Sequence, residues 1–546
     1  LMANPYKLAQ TQMNMMWDYF SLWQNTTMKM MGMPVAAPVA APRKGDNRFK
    51  DEEWEQHFLF DFVKQSYLIT ARHLHDTVAG VEGLDEATQL KVNFFTRQYI
   101  DALSPSNFAL TNPEVFRETV KSHGQNLIKG LNNLLNDVTD DGQLRIRMTD
   151  TSAFEMGKNV ATTPGKVIFQ NEMFQLIQFD PATPDQYKRP FLIVPPWINK
   201  YYILDLREKN SMIKWATDQG YTTFVISWIN PDEKLAAKSF EDYLLEGSME
   251  AVTQVCAQTG EDSVNMAGYC LGGTLVMTTL AYMAAKKDKR GNSGTFFTTM
   301  LDFSEPGELR VFLDEETVAG LEKKMFERGY HDGGMMAGTF NMLRANDLIW
   351  SFVVNNYLLG KDPFPFDLLF WNSDSTRLPA AMHSYYLRNM YLDNNLVKPG
   401  YLTLGGVKID LRKVKVPCYF ISTVEDHIAP WKSTYMGARL PSGPTKFVLG
   451  GSGHIAGIVN PPVANKYGYW TNDATDGNLP EDPQDFLAGA TQNPGSWWTH
   501  WNEWLTSLPG GSAKVKARNP EDGPLAVIEP APGSYVKFRL DAQKKS

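Results

Sequence analysis

The decapeptide NMAGYCLGGT, residues 265–274, sets a cysteine among small residues: Gly268 stands two positions before Cys270, and Gly272 and Gly273 follow it. Upstream lies a β-prone run, VNMAGY (264–269). Downstream, LGGTLVMTTLAYMAAKK has the composition of a helix. A reactive side chain on so tight a strand-to-helix turn takes a strained backbone. Side chains two positions to either side would clash with that turn, and glycines at 268 and 272 remove them. The helix start that follows favours a thiolate. The stretch therefore predicts a nucleophile turn, with sulfur where many hydrolases carry serine. The competing assignments are a merely buried cysteine in a Gly-rich turn and a phosphate-binding loop; the second lacks G-x-G-x-x-G.

Working outward, short apolar runs alternate with helical stretches on both sides of this turn. FLIVPP (191–196), YTTFVISW (221–228), TFFTTMLDF (295–303), PCYFIST (417–423) and TKFVLG (445–450) read as strands. KVIFQN and FQLIQF are spaced to pair as a hairpin, and SFEDYLLEGSMEAVTQVCAQTG reads as a connecting helix. Such alternation implies a mainly parallel sheet with helices on both faces. With a nucleophile turn, that is an α/β-hydrolase-like fold, expected over residues 161–546. The alternation stops between residues 303 and 417. There NDLIWSFVVNNYLLG and FDLLFWNSDST are helical and aromatic-rich, so residues 304–416 are expected to form a cap insertion over the carboxyl edge of the sheet.

Residues 46–160 read as a mostly helical N-terminal domain, with Thr111 as an expected N-cap and Pro113 in the first turn of one helix. Residues 1–45 read as a Met- and aromatic-rich helix followed by a Pro/Ala linker. Met13, Met16, Trp17, Phe20 and Trp23 fall at helical spacing. Such a stripe either packs on its own protein or serves as an adhesive face for a partner or an apolar interface. A chain of 546 residues exceeds one ordinary core. Its formal net charge of -8 argues against a nucleic-acid partner. Three cysteines are too few for a disulfide framework and suit a reducing, cytoplasmic setting. Long apolar runs and a basic-then-apolar leader are both missing, so neither a transmembrane helix nor a secretory leader is expected.

A cysteine nucleophile needs a base, and the base an orienting acid. In the chain order of this fold both follow the nucleophile. PCYFISTVEDHIAP offers Asp426 just past a strand, with Glu425 as the alternative acid. TKFVLGGSGHIAG offers His454 on a Gly-rich loop after the last parallel strand, with His427 as the rival base. An oxyanion hole needs two backbone N–H groups. One is expected from Leu271. The other is expected from the loop after FLIV; Pro195 and Pro196 have no N–H, so Trp197 is the first candidate donor and Ile198 the next. No C-x-x-C or H-x-x-x-H occurs, and no metal or cofactor is expected.

GYCLGGT, PPWINKYYILDLR, TTMLDFSEPGEL, FDLLFWNSDST, EDHIAPW and GSGHIAGIVNPP together resemble polyhydroxyalkanoate synthases, most closely class I. The resemblance runs from about residue 48 to PAPGSYVKFRL near the C-terminus. It implies Cys270 as the acylated nucleophile, His454 as base and Asp426 as third member. It further implies (R)-3-hydroxyacyl-CoA as substrate, CoA as a product, a homodimer, and residence in the cytoplasm at the surface of polyester granules, with granule-associated proteins as further partners. A thiol-to-thiol acyl transfer is nearly balanced in energy, so the acyl group stays activated for the next hydroxyl. The alternatives on the same fold are a polyester depolymerase or acyl thioesterase, and a granule-coating protein without activity. Trp371 is a candidate both for core packing and for lining the site.

Overall fold

The computed structural model describes residues 5–35, 37–139, 142 and 144–540, with side chains from residue 9 onward. The outermost ends of the expected first and last segments, residues 1–4 and 541–546, lie outside the described residues. The chain forms two units. One comprises the described residues through Asp150 together with Gly338–Pro365; the other comprises Thr151–Ala337 and the described residues from Phe366 onward.

The first unit is helical. Its helix Pro5–Met30 lies against Phe58–Ala79. Leu22 is buried with Ile69 and Ala40, the Tyr19 hydroxyl donates to the Ser66 carbonyl at 3.0 Å, and Asp18 pairs with His73 at 2.6 Å and Arg72 at 2.7 Å. This face, with Asp18, Tyr19 and Leu22, is the packed one. The opposite stripe is in water: Met16 is 72%, Trp17 65% and Trp23 60% exposed. The helix Pro113–Lys121 is capped by Asn112, whose side chain accepts from the N–H groups of Glu114 and Val115. The expected cap, Thr111, is one residue too early, because a proline at the first helical position makes its immediate predecessor the N-cap. Residues 338–365, expected within the cap, fold instead with this unit. Gly130 on the helix Gln125–Asp137 explains the fit: a Cβ there would lie 1.7 Å from the Tyr357 carbonyl oxygen. Asn126 and Asn133 donate to the carbonyls of Leu358 and Asn356, and Tyr357 donates to Asp137.

The second unit is built on an eleven-stranded sheet. Its strands are β1 Gly165–Gln170, β2 Phe174–Phe179, β3 Phe191–Val194, β4 Thr223–Trp228, β5 Val264–Tyr269, β6 Gly291–Phe297, β7 Cys418–Thr423, β8 Thr445–Gly450, β9 Tyr469–Thr471, β10 Thr491–Asn493 and β11 Glu529–Pro530. The spatial order is β10-β9-β8-β7-β6-β5-β3-β4-β2-β1-β11. The six strands from β3 to β8 are mutually parallel, and the outer ones are antiparallel. β1 and β2 pair as the expected hairpin, turned by Asn171, which accepts from the N–H groups of Met173 and Phe174. β2 to β8 are buried almost throughout, which explains their continuous apolar runs rather than alternation.

One strand departs from expectation. The apolar run predicts a strand at 295–303; β6 starts earlier, at Gly291, and ends at Phe297. Its opening GNSG has poor β-propensity. Tertiary packing overrides this: a Cβ on Gly291 would lie 2.6 Å from Leu280 on the helix Leu271–Lys286. The strand order places β3 beside β5, with β4 beyond β3 and β6 beyond β5. The connections leaving β3 and β5 therefore run in opposite directions. A crevice opens at the carboxyl ends of two such strands, which is where ligands bind in sheets of this kind.

Candidate active site

Cys270 follows β5 directly and is the N-cap of the helix Leu271–Lys286. Its backbone has φ 51° and ψ -118°, a region that costs a non-glycine residue energy and recurs at functional turns. The flanking glycines are required sterically. A Cβ on Gly268 would lie 2.3 Å from the Gly273 Cα, and one on Gly272 would lie 2.0 Å from the Val194 carbonyl oxygen. The second contact is also informative about the site. It brings the start of the helix against the end of β3, where the Pro195–Trp197 loop begins.

His454, from the loop after β8, is buried, and its Nδ1 lies 2.7 Å from Asp426 Oδ2. The other oxygen of Asp426 accepts from the N–H groups of Ile428 (2.9 Å) and Ala429 (2.8 Å). With Nδ1 committed to Asp426, Nε2 is the ring nitrogen left to serve Cys270, whose charge is among the causes that raise the His454 pKa. Burial would lower the His454 pKa, but the charges of Asp426 and Cys270 and their hydrogen bonds overcome it and push it up to about 10. Tyr269 holds the loop in place: its hydroxyl donates to the His454 carbonyl at 3.0 Å and its ring stacks on the imidazole. Of the alternatives, Glu425 is exposed, whereas the buried Asp426 is bonded by His454. His331 and His383 are buried against each other, ring centroids 5.0 Å apart.

A histidine whose pKa rises on folding stabilises the fold fully below its unfolded value of 6.5, and that stability is lost as pH rises through about 10. Thermal melts of the parent should therefore fall between pH 7 and 10, and melts of His454→Gln should be flatter over the same range.

Leu271 and Trp197 are both buried, at the ends of β5 and β3. Among the described residues, neither their N–H groups nor that of Ile198 has a protein acceptor. Unspent buried N–H groups are rare in folded proteins. Aromatic side chains close over this place. Trp197 packs on Tyr243 (5.1 Å between centroids) and Tyr386 (6.3 Å), and Phe303 packs on Tyr386 and Tyr391. The rings of Tyr386 and Tyr391 pack edge to face, 5.6 Å between centroids, in the same apolar cluster as Cys270. Tyr243 and Tyr391 sit on π-helical turns, Tyr243–Met249 and Leu387–Leu392, a backbone form enriched at functional sites. Sequence reading missed this tyrosine pair. SYYLRNMYL carries no motif, and only the tertiary fold brings it to the cysteine. Trp371 is buried, packs in the core beside Phe370, and donates from its indole N–H to the Lys200 carbonyl at 2.8 Å. Among the described residues, no group of three or more His, Cys, Asp or Glu could hold a metal ion, and no helix is long and apolar enough to cross a membrane.

Fold and site together define an α/β-hydrolase-fold protein with a cysteine on the strained strand-to-helix turn after β5. Residues 189–461 match the α/β-hydrolase-fold family model, and residues 45–216 match the model of the poly-beta-hydroxybutyrate polymerase (PhaC) N-terminus. The chain is 49% identical over 539 residues to the poly(3-hydroxyalkanoate) polymerase subunit PhaC of Rhizobium meliloti, covering 98% of this chain and 87% of that protein. It is 48% identical to the poly(3-hydroxyalkanoate) polymerase of Methylorubrum extorquens, covering 98% and 88%. Among solved structures it resembles a monoacylglycerol lipase of Paleococcus ferrophilus at 15% identity and a TM-score of 0.32, over 51% of this chain and 88% of that one. The chain belongs to the poly(3-hydroxyalkanoate) polymerase family and is a transferase.

Proposed function

We propose that this protein polymerises (R)-3-hydroxyacyl-CoA into polyhydroxyalkanoate, releasing CoA, through an acyl thioester on Cys270. The observation that carries the reading is the buried, hydrogen-bonded Asp426–His454 pair beside a cysteine held at positive φ on the nucleophile turn. His454 Nε2 takes the Cys270 proton and Asp426 holds the imidazolium. The thiolate attacks the thioester carbonyl, and the oxyanion is met by the N–H groups of Leu271 and of Trp197 or Ile198. The CoA thiolate leaves and takes the proton back from His454. An incoming 3-hydroxyl then gives its proton to His454 and attacks the cysteine-bound acyl group, which adds one ester and frees the thiol. His454 is the better base for this step, because both oxygens of Asp426 are already engaged. No resident cofactor enters the scheme.

A polymerase must keep water from the acyl-enzyme, and the apolar surround of Trp197, Phe303, Tyr386 and Tyr391 suits that task. The test is incubation with (R)-3-hydroxybutyryl-CoA, following free CoA with a thiol reagent and weighing acid-insoluble product. CoA release with polymer supports the reading. CoA release with only soluble 3-hydroxybutyrate replaces it with a thioesterase.

The protein is further proposed to act as a homodimer in the cytoplasm, at the surface of its insoluble product. The exposed Met and aromatic stripe of the first helix is the adhesive face. A triple variant Trp17→Ser, Phe20→Ser, Trp23→Ser should release CoA at the parental initial rate, while the fraction of enzyme sedimenting with polymer falls severalfold. Unchanged sedimentation would assign the contact elsewhere.

A further inference from the structure

The loop that follows β3 is held by a buried ion pair outside the chemistry described so far. Lys200 and Asp374 are almost fully buried, with Lys200 Nζ 2.7 Å from Asp374 Oδ1. Lys200 Nζ also donates to the carbonyls of Val536 (2.9 Å) and Phe538 (2.6 Å). Asp374 Oδ2 accepts from the Tyr202 hydroxyl at 2.9 Å, and the Arg539 guanidinium lies 3.5 Å away. Two residues on, Thr376 grips the loop itself. Its hydroxyl donates to the Trp197 carbonyl at 2.6 Å, and its N–H donates to the Ile198 carbonyl at 3.3 Å.

Three segments meet here: the loop after β3, the turn after the helix Asp367–Ser373, and the run 536–539 near the C-terminus. None of them has a strand ladder at the contact to fix its conformation. Apolar packing would tolerate several arrangements of such segments, whereas a desolvated ion pair is directional and a costly way to gain mere adhesion. The Thr376 bond to the Trp197 carbonyl also fixes the plane of the 197–198 peptide. The Ile198 N–H of that plane points away from Thr376, since the C=O and N–H of a trans peptide are opposed.

We propose that the Lys200–Asp374 pair, with Thr376, is a positioning device that orients the spare N–H groups of residues 197 and 198 for the oxyanion. It rests on the acyl-transfer reading given above. Asp374, Lys200 and Thr376 act through the loop and do not touch the reacting atoms.

Two reactions of Cys270 separate this role from a general structural one. Alkylation by iodoacetamide needs the thiolate but forms no oxyanion. Acylation by (R)-3-hydroxybutyryl-CoA needs both. Asp374→Asn and Thr376→Val are compared with the parent in each, with alkylation scored at the Cys270 peptide. The expected result is alkylation within about twofold of the parent and a CoA-release kcat lowered by ~10- to 100-fold with KM little changed, because the oxyanion contact strengthens only in the transition state. Thr376→Val leaves the ion pair intact and decides the matter if Asp374→Asn fails to fold. Equal loss of alkylation and acylation would mean a disturbed site and overturn the proposal, as would two variants with parental acylation. A parent that releases no CoA would instead contradict the acyl-transfer reading itself.

Discussion

Cys270→Ala should lower CoA release from (R)-3-hydroxybutyryl-CoA by ~10⁵- to 10⁶-fold, the scale seen when a covalent nucleophile is removed from a preorganised site. The loss should fall on kcat, because the rest of the site that binds the thioester is unchanged. Alanine meets the same positive φ as cysteine, so the melting temperature should stay close to the parent's and the loss cannot be read as unfolding. Cys270→Ser sharpens the result. A serine ester would discharge much of the thioester's potential at the first step, so the acyl-enzyme should form more slowly and pass its acyl group on less readily. Parental CoA release by Cys270→Ala would remove the nucleophile assignment.

Asp426→Asn should cost ~10³- to 10⁴-fold in kcat, by fixing the wrong imidazole tautomer. The amide oxygen of the introduced side chain could still accept from Ile428 and Ala429, so the loop should survive. Its NH₂ group would then face His454 Nδ1 as a donor, leaving Nε2 protonated toward Cys270 and unable to take the thiol proton. The same change removes the carboxylate charge that raises His454. The parent's loss of thermal stability above pH 7 should therefore flatten in this variant too. Near-parental kcat in Asp426→Asn would mean that the acid has another role.

The legible parts of this protein are those whose physics is local. The tight strand-to-helix turn at Cys270 writes itself into a few residues, because its geometry demands glycines at 268 and 272. Asp426 and His454 are legible because each sits just past a strong β-run, in the chain order the fold imposes. Other parts depend on neighbours far off in sequence. The start of β6 looks like a turn until Leu280 is seen above Gly291. Residues 338–365 have the aromatic, helical composition of the cap that flanks them, and only Gly130 against Tyr357 shows where they pack. Tyr386 and Tyr391 join the apolar cluster that includes Cys270 by tertiary packing alone. Lys200 and Asp374, far apart in the chain, carry no mutual signature at all. The stripe on the first helix is intermediate: its period is visible in sequence, but exposure had to come from the structure.

The measurement that goes straight to the central claim is acid quenching of the enzyme during turnover of (R)-3-hydroxybutyryl-CoA, followed by peptide mass mapping. The expected result is one or more 3-hydroxybutyryl units on the peptide holding Cys270, released by hydroxylamine and missing in Cys270→Ala. Acyl mass on another residue, or steady turnover with no acylated peptide at any quench time, would contradict a cysteine-bound thioester.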